Sequence, residues 1–150
     1  MGTLDRLDIQ ALHLRHPDCP ARLAETPMAP SVIYLRSNTG MLLQADEQAI
    51  AVVGSRDATP YGFEMTRRLS YDLARAGVTI VSGLARGIDS AAHKAALEAG
   101  GRTIAVLGSG LDRTYPQRSI PLADKIVQSG ALLDRVPAGS ECAPSALPTS

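Results

Sequence analysis

Three times in this chain a short apolar run breaks at a glycine turn and leads into a helix-forming stretch, and a fourth apolar run closes the series. The runs are "AIAVVG" from Ala49, "VTIVSG" from Val78, "RTIAVLGSG" from Arg102 and "ALLDRV" from Ala131. Between them lie "PYGFEMTRRLSYDLARAG", "IDSAAHKAALEAGG" and "SIPLADKIVQSG". Apolar strands alternating with amphipathic helices read as βαβ units, and such units build a parallel sheet. Right-handed crossovers then gather the strand-to-helix turns at one edge, where open α/β sheets bind ligands. The expected fold is α/β: a Rossmann-like, open and mainly parallel sheet with helices on both faces, incomplete at its C-terminal side.

The first helix has clear punctuation. Thr59 suits the N-cap, Pro60 the first helical position and Gly77 the stop. Tyr61, Met65, Leu69 and Leu73 recur every four residues and form one apolar stripe, with Glu64, Arg67, Arg68 and Arg75 off it. The second helix is rich in alanine, which permits close packing on a sheet. Upstream, "SVIYLR" (Ser31 to Arg36) reads as a peripheral strand. The stretch from Leu4 to Leu14 admits a short helix. Residues 1–30 are set apart as an N-terminal extension, 31–136 as the Rossmann-like domain, and the Pro/Ser/Ala-rich 137–150 as coil or a disordered tail.

The bulk properties exclude several classes. No apolar stretch approaches a membrane span, and "MGTLDRLDIQ" lacks the apolar core of a signal peptide, so a cytoplasmic protein is expected. Cys19 and Cys142 lie far apart and make no disulfide framework. "HLRHPDC" spaces His13, His16 and Cys19 like metal ligands, but a zinc site needs a fourth, so no metal or other cofactor is expected. Net charge is zero, so any anion site must come from placement of charge. Thirteen of the 15 basic residues are arginine, the better bidentate phosphate ligand.

Three turns leave the expected ligand edge: "GSRDATP" (Gly54 to Pro60), "SGLARGID" (Ser82 to Asp89) and "GSGLDRTYP" (Gly108 to Pro116). Each carries glycine, which lets backbone amides approach an anion, and each precedes a helix N-terminus. Each delivers an arginine: Arg56, Arg86 and Arg113, with Arg118 just beyond. The candidate phosphate-binding residues are therefore Gly54, Ser55, Arg56, Ser82, Gly83, Arg86, Gly87, Gly108, Ser109, Gly110 and Arg113. Ser55, Ser82 and Ser109 suit phosphate or a helix cap better than nucleophilic attack, because no G-x-S-x-G elbow is present. Tyr115 is placed either to stack on a base or to pack. Neither the dinucleotide fingerprint nor the P-loop pattern occurs. Asp89, Asp112 and His93 are the only candidates for acid–base work, and none has an evident partner. These loops alone do not separate a nucleotide from a nucleic-acid backbone.

The ordered string from Ser82 to Pro116, with "AVVGSRDATPYG" and the upstream "CPARLAETPMAPSVIYLRSNTGMLL", resembles the DprA/Smf family of DNA-processing proteins over roughly Cys19 to Val136. The resemblance implies an extended Rossmann-like domain without established catalytic activity. It implies binding of single-stranded DNA, loading of a RecA-type recombinase during natural transformation, and a homodimer. Ser55 and Arg56 match the family's G-S-R motif at the DNA pocket, and Gly83, Arg86 and Gly87 match a motif expected beside it. Where family members continue from the "ALL" strand into a segment reading about F-P-x-R-N-R-x-I, this chain reads "PAGSECAPSALPTS". The alternative is a nucleotide- or phosphate-binding enzyme or sensor similar to the phosphoribohydrolases, although their P-G-G-x-G-T-x-x-E stretch is missing.

Overall fold

The computed structural model describes residues 9–13, 32–37, 48–107 and 120–134. Six strands and three helices follow in chain order: β1 (Ile9–His13), β2 (Val32–Arg36), β3 (Ala49–Ala51), α1 (Pro60–Arg75), β4 (Thr79–Ser82), α2 (Ile88–Glu98), β5 (Thr103–Val106), α3 (Ile120–Ser129) and β6 (Ala131–Asp134). They form one open sheet in the order β1-β2-β6-β5-β4-β3. β3, β4, β5 and β6 pair in parallel, while β2 pairs antiparallel with both β6 and β1. The α/β class and the strand starts near 49, 78, 102 and 131 agree with the sequence pattern. "SVIYLR" is not the outermost strand, because β1 pairs outside it.

β1 corrects the expectation of a helix over Leu4 to Leu14. Ile9 and Leu12 are three apart, a spacing that suits one helix face but puts strand residues on opposite faces. That is their arrangement: Ile9 joins the core with Leu122 and Leu132, Leu12 the core with Ile33 and Ile104. The tertiary pairing with β2 overrides the local pattern.

The register sorts the sheet into two faces. Ile80, Thr103, Ala105 and Leu132 share one face; Val81, Ile104, Ala131 and Leu133 share the other. Ala74 of α1 and Ala92 and Ala96 of α2 cluster with Ile80. Leu122, Ala123, Ile126 and Val127 of α3 cluster with Ala105 and Leu132. The three described helices therefore lie on the same face, where the sequence pattern suggested both. Strand order explains this: β3, β4, β5 and β6 are laid down in one lateral direction, so right-handed crossovers keep returning to one side.

α1 buries a different stripe from the one its sequence advertises. Thr66, Ser70 and Ala74 are buried, while Tyr61 and Leu69 are 73% and 56% exposed. Small side chains let α1 sit against α2, and Gly101 approaches so closely that an added Cβ would lie 2.7 Å from the Ala74 methyl. The cap reads as expected: Gly62 N–H donates to Thr59 Oγ1 at 3.1 Å, and Gly77 stops the helix at φ +91°.

Candidate functional site

Two of the three expected loops fall within the described residues, and they are interlocked. The Ser82 hydroxyl donates to the Val52 carbonyl at 2.6 Å, tying the end of β4 to the chain leaving β3. Leu84 then takes a left-handed conformation (φ +63°) and points its side chain into the core at 2% exposure. That leads into a turn at Arg86 and Gly87. Gly87, at φ +85°, starts α2. An added Cβ there would strike the Ser55 carbonyl oxygen and lie 2.7 Å from Arg56 Cα, so only glycine admits this backbone-on-backbone contact. Gly54 makes the reciprocal approach, with an added Cβ 2.7 Å from the Ile88 side chain. Ile88 N–H donates to the Ser55 carbonyl at 3.1 Å and closes the joint.

The consequence is a common platform from which Arg56 and Arg86 both project into solvent. Arg86 Nη2 lies 3.3 Å from Asp57 Oδ1, with side-chain exposures of 51% and 85%. Such an exposed pair contributes about 0–1 kcal/mol, so it orients Arg86 without locking it away from an incoming anion. Arg56 has no ion pair or side-chain hydrogen bond among the described residues. Ser55 Oγ accepts from Asp57 N–H at 3.0 Å and shapes the turn.

Several candidate donors are engaged within the fold. Gly83 N–H donates to Asp89 Oδ2 at 3.1 Å, and Ser90 and Ala91 N–H donate to the Ala85 and Gly87 carbonyls. Ser82 is 4% exposed. Around Ser82, Gly83 and the start of α2 the loop is held by its own hydrogen bonds, and Arg86 is its exposed charged side chain. Gly108, Ser109, Gly110 and Arg113, with Asp112, Tyr115 and Arg118, lie outside the described residues, as do His16, Cys19, Cys142 and the 137–150 tail.

The acid–base candidates on α2 face inward. Asp89 is 8% exposed and accepts the Gly83 amide. His93 is completely buried, with Nδ1 2.7 Å from Thr103 Oγ1. Thr103 donates its own hydroxyl proton to the Ile80 carbonyl at 2.8 Å, so Nδ1–H is the donor to Thr103. Nε2 has no hydrogen-bond partner. Burial lowers the His93 pKa to about 4, keeping the ring neutral and out of reach of solvent.

Beside the platform lies a groove of about 510 Å³ between α1 and α2, with Arg86 and Gly87 at its lip and Arg67 and Lys94 along its walls. Sequence reasoning passed over Arg67 and Lys94 because both sit inside helices, not in glycine turns. Their signal was only that they fall off the apolar stripes.

The geometry sits within a wider likeness. The family model described as "DNA recombination-mediator protein A" matches residues 10–149. Protein Smf of Synechocystis is 43% identical over 129 residues, covering 83% of this chain and 32% of the relative, so the chain spans about a third of that protein. The crystal structure of DNA processing protein A from Streptococcus pneumoniae superposes with a TM-score of 0.79 at 32% identity, over 95% of this chain and 50% of that one. The Helicobacter pylori DNA processing protein A, whose structure was described for its single-stranded DNA binding mode, gives a TM-score of 0.79 at 26% identity, over 93% of this chain and 61% of that one. With a family model spanning nearly all of the sequence and a solved fold that superposes on it, this chain belongs to the DNA recombination-mediator protein A (DprA/Smf) family.

Proposed function

We propose that this chain is a non-catalytic module for binding single-stranded DNA in cytoplasmic DNA processing, with Arg56 and Arg86 as its phosphate ligands. The observation that carries the proposal is the joint between the two loops, where Gly87 seats against Ser55 and Arg56 and brings together the backbones that carry the exposed Arg56 and Arg86. Arginines held by rigid backbone on one rim suit a repeating polyanion, which offers phosphates in series. Gly54 and Ser55 shape the first loop, and Ser82, Gly83 and Gly87 the second. Gly108, Ser109, Gly110 and Arg113 join the proposal by their place after β5. The inward-facing Asp89 and His93 support a binding role over a catalytic one. RecA loading and homodimer formation belong to the proposal through family membership, as properties of the longer relatives.

Fluorescence anisotropy with labelled dT oligomers at two salt concentrations tests it. With about three phosphate contacts, log K should fall against log salt with a slope of about −2. Arg56→Ala should weaken binding to all sequences alike and flatten the slope by about 0.7. Unchanged affinity in that variant at low salt refutes the assignment. Saturable stabilisation by a mononucleotide, without oligomer binding, selects the phosphoribohydrolase-like reading instead.

A further inference from the structure

We infer that the groove between α1 and α2 is a second stretch of the nucleic-acid path, carrying the strand away from the loop rim across Arg86 to Arg67 and Lys94. The inference rests on the binding role proposed for the rim and extends it to residues outside every glycine loop.

Continuity is the first argument. Arg86 belongs both to the rim and to the groove, so among the described residues a strand held at the rim arrives at the groove mouth without crossing another element. Charge is the second. Arg67 and Lys94 are exposed, and neither has an ion-pair partner among the described residues. Lys94 has Glu98 four residues later, the less favourable order for a helix pair, and no bridge forms between them. Three cations thus line one groove in a chain of zero net charge, and among the described residues the opposing carboxylates are Asp57, paired with Arg86 at the rim, and Glu98 in the groove lining. Shape is the third. Ala91 and Ala95, one helical turn apart, leave a low floor, and Phe63 (36% exposed) on the α1 wall offers an aromatic edge to a base.

The dimensions suit a short run of backbone. From the start of α2 at Ile88, just past Arg86, to Lys94 the helix advances six residues, about 9 Å. At about 3.4 Å per stacked nucleotide, this matches about three phosphates. Glu98 then ends the favourable potential and defines the exit. An acidic protein segment would meet the same cations, but it would have no reason to need the adjoining rim.

The experiment compares labelled dT5, which the rim accommodates, with dT20, which also reaches the groove. The variants are the double substitution Arg67→Ala, Lys94→Ala, and Arg56→Ala as the rim control. Both groove positions are exposed on helices, and matching thermal melts establish that the double variant is folded. The expected result is a loss of about tenfold in dT20 affinity at 50 mM salt and a slope flatter by about 1.4, with dT5 affinity unchanged. Glu98→Gln should tighten dT20 and leave dT5 alone. If Arg56→Ala weakens both oligomers while the double variant weakens neither, the groove is not on the path and the rim proposal stands. Equal weakening of dT5 and dT20 by the double variant also overturns the inference, because the cations then act on the rim at large. If the wild-type chain binds no oligomer, both proposals fall together.

Discussion

Acidification should loosen this fold through His93, and the size of the effect follows from the burial of its ring. The imidazole is completely buried, donates through Nδ1 to Thr103, and leaves Nε2 without a partner. A second proton on that nitrogen would put an uncompensated charge in the buried interior. Burial therefore lowers the folded-state pKa from 6.5 to about 4. Between those values the unfolded chain binds the proton and the folded chain does not, so stability rises with pH across that window. Above pH 6.5 both states are neutral and the full stability is present. As the pH falls from 6.5 to 4 the fold loses up to about 3 kcal/mol, a large share of the 5–15 kcal/mol that holds a typical domain together. Surface carboxylates titrate too, so the informative quantity is a difference between two proteins. His93→Gln keeps an N–H for Thr103 and does not titrate. Urea unfolding of both proteins, followed by circular dichroism at pH 7.5, 6.5, 5.5 and 4.5, should show the wild-type curve falling away from the variant's by about 2.5 kcal/mol over that range. Parallel curves, or an NMR titration of His93 with a midpoint near 6.5, would refute the reasoning.

Gly87→Ala forces a side chain onto a backbone at φ +85° and into the Ser55 carbonyl. It should cost at least about 2 kcal/mol and weaken dT binding even at temperatures where the variant remains folded; a thermal melt and an anisotropy titration measure the two effects, and wild-type values for both would contradict the interlocked-loop geometry. Asp57→Asn removes the carboxylate from the rim and frees Arg86, so dT affinity should rise by about two- to fivefold at low salt while the melting temperature stays within a degree or two. Unchanged or weaker binding would mean that Asp57 is needed to aim Arg86.

Much of the scaffold was legible because its signals are local. The strand starts, the Thr59 cap and the Gly77 stop each depend on a few neighbouring residues. What the sequence hid depends on contacts between distant segments. The α1 stripe of Tyr61 and Leu69 was conspicuous, yet the helix buries Thr66, Ser70 and Ala74, since close approach to α2 favours small side chains over apolar ones. The stretch from Leu4 to Leu14 admitted a helix because it has little periodicity to decide it, and the pairing of Ile9–His13 with β2 settles it as a strand. In the candidate site, sequence placed Arg56 and Arg86 on neighbouring turns but did not show the Asp57 that bridges to one of them, nor the engagement of the Gly83 amide by Asp89. Arg67 and Lys94 became visible only once two helices lay side by side.

Leu84 gives one residue two masters. Its buried side chain answers to the hydrophobic interior, while its left-handed backbone sets the direction of the turn that carries Arg86 two positions later. An engineer who trims that side chain to relax the interior also loosens the anchor of a left-handed backbone two residues before a surface guanidinium. Improving durability and improving grip are therefore not separable projects at this position.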